Sequence, residues 1–176
     1  MRRRALWILC HLGVLAMAAP SLGWSQQGST CPAPTNGPSP ILHVRGAVDA
    51  PLDLSADDLA GLPRRRLQVE EREGGVAEYE GILLADVLAR AGVPMESLRG
   101  RQAATVVVAE ARDGYRAVYA LAELDPAFSD RELVLADRKN GAELSADEGP
   151  FRLIMLGERR HSRWIRQLSC LRVTQP

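Results

Sequence analysis

The sequence predicts an α+β domain built on a mixed β-sheet. Short β-type runs outnumber helical ones, and turn dipeptides such as Gly74-Gly75, Asp113-Gly114 and Asn140-Gly141 separate them. Only two or three short stretches carry helical signals, and they do not alternate one for one with strands, which argues against a doubly wound fold. The chain has 176 residues, with no internal repeat and no composition shift after residue 41, so one domain with an N-terminal tail is expected.

The elements follow in order. Ile41 to Gly46 reads as a strand that ends at Gly46. Ser55, followed three residues later by Asp58, resembles a capping box and opens a short helix that Pro63 stops. From Arg64 to Arg72, Leu67 and Val69 fall on one face of a strand, and Gly74-Gly75 turns the chain back into Val76 to Tyr79. Leu84, Val87, Leu88 and Ala91 have helical spacing and form a core stripe, which Gly92 and Pro94 terminate. The β-branched run Ala103 to Ala109 is the expected central strand. Asp113-Gly114 turns it into Tyr115 to Tyr119, and Leu133 to Ala136, Phe151 to Leu156 and Ile165 to Val173 supply the remaining strands.

The N-terminus speaks to compartment. Arg2, Arg3 and Arg4 precede an apolar run from Ala5 to Ala19, the pattern of a secretory signal over residues 1–25. The run is shorter than the roughly 20 residues that cross a bilayer, so no stable membrane anchor is expected after cleavage. Residues 26–40 are rich in Pro, Gly, Ser and Thr and read as a linker, leaving 41–176 as the domain. A periplasmic or secreted location is the expectation.

Charge and cysteine content change with that cleavage. The chain carries 22 Lys+Arg and 22 Asp+Glu; without the three signal arginines it is mildly acidic, at −3. This balance argues against a nucleic-acid partner. Cys10 leaves with the signal, so Cys31 and Cys170 remain. In an oxidising compartment these two are expected to form a disulfide, the alternative being two free thiols.

The densest functional-looking segment is Arg159, Arg160, His161, Ser162 and Arg163, preceded by Glu158 and followed by Trp164. Such a loop can bind a small anion such as a phosphate through charge-assisted hydrogen bonds; a solvated, charge-rich loop is the alternative. Arg64-Arg65-Arg66 is a second basic run, but Glu70, Glu71 and Glu73 follow it and a solvated strand is expected. No Gly-x-Ser-x-Gly elbow, P-loop, dinucleotide turn or His/Cys metal cluster is present, so no catalytic or metal-ligating residue is assigned.

The order of several short motifs carries a family resemblance. Ile41 to Gly46 with Pro51-Leu52-Asp53-Leu54 resembles the opening of the sulfite-oxidase-type molybdopterin-binding oxidoreductase domain. Tyr79-Glu80-Gly81 through Leu88 is similar to its W/Y-x-G-x-x-L segment, and Asp113-Gly114-Tyr115 to its D-G-Y turn. Asn140 to Leu144, Gly149 to Leu153 and Ser162 to Ile165 resemble its N-G-x-x-L, G-x-P-x-R-L and S-x-K-W pieces. The resemblance implies a mixed α+β fold holding molybdopterin, with molybdenum bound through one Cys thiolate before the W/Y-x-G segment. Here that stretch, Leu67 to Gly75, has no Cys. Carboxylates such as Glu70 and Glu71 favour harder ions than a thiolate does. Bound molybdenum is therefore not expected, and Arg159 to Arg163 remains the candidate for holding the cofactor's phosphate. The expected function is a non-catalytic exported module of this fold that binds a small anionic ligand or a periplasmic protein partner. The alternative is a molybdopterin-dependent oxidoreductase that keeps its cofactor without a Cys ligand.

Overall fold

The computed structural model describes residues 30–33, 41–71, 74–96 and 98–175. The expected secretory signal over 1–25 and most of the expected linker over 26–40 lie outside these residues. Ten strands and two short helices make up the described chain: β1 (Leu42–Gly46), β2 (Leu52–Leu54), α1 (Ala56–Ala60), β3 (Arg64–Glu70), β4 (Val76–Leu83), α2 (Leu84–Arg90), β5 (Val106–Ala111), β6 (Arg116–Ala120), β7 (Leu133–Lys139), β8 (Ala142–Glu143), β9 (Arg152–Met155) and β10 (Leu168–Thr174).

They form two sheets where one was expected. The first runs β2-β1-β10-β5-β6. It is mixed, because β1 pairs with β10 in parallel, with His43 opposite Cys170, while its other pairs are antiparallel. The second runs β3-β4-β7-β8, with β9 pairing beside β7, and is antiparallel throughout. The α+β class stands.

Period-two alternation sets the faces of the first sheet. Leu42 and Val44 of β1 and Leu171 and Val173 of β10 are buried in the core. His43, Arg45, Cys170 and Arg172 fall on the opposite face. The helical stripe is as expected: Leu84, Val87, Leu88 and Ala91 are all fully buried, and α2 packs on β4 and β7. Ser55 caps α1 in a capping box, its hydroxyl accepting from Asp58 N while Asp58 accepts from Ser55 N.

Two close approaches explain particular glycines. Gly46 has φ +97°, and a Cβ there would lie 2.0 Å from the Val173 carbonyl oxygen. At Gly81 a Cβ would lie 2.1 Å from Leu135 O, where β4 shifts register against β7. One boundary differs from expectation: β5 begins at Val106, because 100–104 winds into a 3-10 turn. Ala103 and Ala104 lack the β-branch that holds the following valines extended.

Cys31 and Cys170 are joined by a disulfide with Cα atoms 5.9 Å apart, across 139 residues of sequence. Cys170 lies within β10 and is 1% exposed, so the bond pins the N-terminal arm to the middle of the first sheet.

Candidate functional site

The connection between β9 and β10 carries the basic loop, and buried aromatics shape it. Trp164 is 7% exposed and its indole N–H donates to Met155 O at 3.1 Å. The His161 ring stacks on it, with centroids 3.6 Å apart and planes 9° apart. Two tyrosines flanking and within β6 tie down the backbone: the Tyr115 hydroxyl donates to Ser162 O at 2.7 Å and the Tyr119 hydroxyl donates to Arg163 O.

The loop's three arginines take different roles. The Arg163 guanidinium turns inward, donating to Glu158 Oε1 from Nε at 2.8 Å and to Glu123 Oε2 from Nη2 at 3.1 Å. It also lies 5.1 Å over the Tyr119 ring. Hydrogen bonding to Glu158 and Glu123 raises its pKa further above the ordinary arginine value. Arg159 and Arg160 are exposed, with no recorded ion-pair partner among the described residues. Together with His161 and Ser162 they line a recess of about 430 Å³.

Next to this loop lies a larger cleft of about 620 Å³, whose wall includes Glu71, Lys139, Glu148, Arg152, His161 and Trp164. Its floor is an ion-pair cluster. Lys139 Nζ donates to Glu71 at 2.9 Å and stands 3.6 Å from Glu148. The Tyr79 hydroxyl donates to Glu71 Oε1 at 2.5 Å and accepts from Arg152 Nη1 at 2.6 Å. Arg152 Nη1 also pairs with Glu148. The Arg152 guanidinium lies over the rings of both Tyr79 and Trp164, 5.2 and 5.7 Å from their centroids.

The electrostatics lock this cluster. Burial raises the Glu71 pKa, but the hydrogen bonds from Tyr79 and Lys139 outweigh it and hold the carboxyl below its ordinary value. Burial and the neighbouring Glu71 push the Tyr79 hydroxyl up to about 12. Lys139 is raised despite its burial by its hydrogen bonds to Glu71 and Tyr79. None of these groups exchanges a proton readily near neutral pH, which makes them poor general acids or bases.

The donor set does not fit a thiolate-held molybdenum. Cys31 and Cys170 are consumed by their disulfide, and Leu67 to Glu71 presents carboxylates. The fold's molybdenum ligand is a cysteine thiolate, and no free cysteine stands among the described residues. No group of three or more His, Cys, Asp or Glu able to hold a metal occurs among them. The inner cations are also poorly placed for a phosphate, because Lys139 and Arg152 face Glu71 and Glu148 while Arg163 faces Glu123 and Glu158.

Sequence reasoning located the basic loop and missed the ion-pair floor. Glu71 reads as part of a solvated, mixed-charge strand; Tyr79, Lys139 and Arg152 come from β4, β7 and β9, and Glu148 from the β8–β9 connection. Arg64 is exposed on β3 and pairs with Asp137 at 2.6 Å, consistent with a solvated strand. His43, which has no evident cysteine neighbour in sequence, is brought opposite Cys170 by the β1–β10 pairing, and its Nδ1–H donates to the Asp53 carboxylate at 2.6 Å.

Comparison with known proteins agrees with this architecture. No curated protein matches the sequence. The sulfane dehydrogenase SoxCD from Paracoccus pantotrophus shares the fold, with a TM-score of 0.61 and 21% identity over 78% of this chain and 38% of that one. This chain thus spans well under half of that chain's length. The family profile described as the oxidoreductase molybdopterin binding domain matches residues 64–176. The chain belongs to the oxidoreductase molybdopterin binding domain family.

Proposed function

We propose that this protein is a non-catalytic, exported member of its family, which binds a small anionic ligand at the tip of the β9–β10 loop. The observation that carries the reading is the division of labour among the loop arginines. Arg163 spends its donors on Glu123 and Glu158 and so positions the loop. Arg159 and Arg160 remain exposed around the recess, with Ser162 and the His161 ring beside them. Two guanidinium forks offer bidentate hydrogen bonds to a phosphate or carboxylate. The absence of a free thiol among the described residues supports the non-catalytic half of the reading.

Export is supported by the basic and apolar N-terminal segment of the sequence and by the Cys31–Cys170 disulfide, a bond that persists in oxidising compartments. No helix among the described residues is long and apolar enough to cross a membrane.

The test is calorimetric titration of the mature chain with inorganic phosphate and with molybdopterin. The double variant Arg159→Ala/Arg160→Ala should weaken binding at least about tenfold, since each lost charge-assisted contact is worth about a factor of ten or more. Unchanged affinity would place the ligand elsewhere.

A further inference from the structure

The cations on the cleft floor play no part in the loop site, and they converge on a single point. The Tyr79 hydroxyl at 2.5 Å, Lys139 Nζ at 2.9 Å and Arg152 Nη1 at 3.9 Å all approach the Glu71 carboxylate. A phenol, an ammonium and a guanidinium around two oxygens are the surroundings a small bound oxyanion takes in a protein. Glu71 stands where such a ligand would stand.

A second observation concerns Arg152. Its side chain is nine-tenths buried, and Nε is buried with no hydrogen-bond partner. Buried donors are nearly always paired, so an orphaned guanidinium N–H marks a cluster with one acceptor too few. The recorded hydrogen bonds of this guanidinium all leave from Nη1, to Tyr79 and Glu148.

We propose that Tyr79, Lys139 and Arg152 form a latent oxyanion site that Glu71 closes from within. A tethered carboxylate acts at an effective concentration of millimolar or more, so a free phosphate or sulfate at lower concentration does not displace it. The floor therefore departs from a cofactor-phosphate cradle: its cations are paired with Glu71 and Glu148 of the chain itself, and anions are left to the loop above. The inference is separate from the loop site, and the two fail separately.

The test uses the full mature chain carrying Arg159→Ala/Arg160→Ala, so that loop binding is removed, titrated with inorganic phosphate and with sulfate. Adding Glu71→Gln keeps an acceptor for Tyr79 but removes the charge, and should tighten phosphate binding at least about tenfold over the parent. Lys139→Met on top of it should erase the gain. No gain, or a gain that survives Lys139→Met, overturns the proposal. Lys139→Met alone in the wild-type chain supplies a check that does not need Glu71→Gln to fold. Phosphate affinity should stay within about threefold, and its loss would show the floor already open and overturn the closure. If the loop variant leaves phosphate binding intact while Glu71→Gln still adds a Lys139-dependent site, only the loop reading fails.

Discussion

The guanidinium of Arg163 is held between the carboxylates of Glu158 and Glu123, with the Tyr119 ring beneath it. A residue that composition marks as a ligand-binding cation is thereby a fastener, joining the β9–β10 loop to the edge strand of the first sheet. Removing it would leave Glu158, whose side chain is only 11% exposed, without its partner.

Arg163→Ala should therefore lower stability by about 1–3 kcal/mol, the cost of leaving a half-buried charge unpaired. Arg160→Ala, at an exposed position, should stay within about 0.5 kcal/mol of the parent. Urea unfolding of both variants checks this. Equal effects would contradict the assignment of separate roles.

Glu71 links stability to pH. Its pKa in the folded chain lies below the ordinary value of 4.5, so its contribution is fully present above that value and is lost as pH falls through the folded value. Glu71→Gln should cost about 1 kcal/mol at pH 7. That difference should shrink progressively below about pH 4.5. Urea midpoints measured from pH 7 to pH 3 report it, and a difference independent of pH would show that the carboxylate charge is not what holds Tyr79 and Lys139.

The disulfide acts on the unfolded chain. Closing 139 residues of sequence with the Cys31–Cys170 bond restricts the denatured ensemble and contributes about 4–5 kcal/mol in the chain-entropy model. Cys31→Ser should lower the denaturation midpoint in non-reducing buffer and abolish the effect of added reductant. A variant as stable as the parent would show that the arm adds nothing to the fold.

Legibility in the sequence followed the range of the interactions. The Ser55–Asp58 capping box, the Leu84 to Ala91 stripe and the glycine turns depend on neighbours within a few residues, and each formed as read. The Cys31–Cys170 pair was legible because the chain has only three cysteines and Cys10 falls in the expected signal, which left one pairing. The ion-pair floor was not: Glu71 and Lys139 are 68 residues apart and meet only because β4 lies between β3 and β7. The inward turn of Arg163 was hidden for the same reason, since Glu123 is 40 residues away and follows a different strand. The split into two sheets likewise rests on which strands pair, and alternation within a strand carries no information about its neighbour.

The most direct test is the molybdenum content of the protein purified from its native cells, measured by inductively coupled plasma mass spectrometry against protein concentration. With Cys31 and Cys170 joined to each other and carboxylates in the Leu67 to Glu71 stretch, the expected content is far below one molybdenum per chain. A content near one per chain would contradict the non-catalytic reading and require a ligand other than a cysteine thiolate.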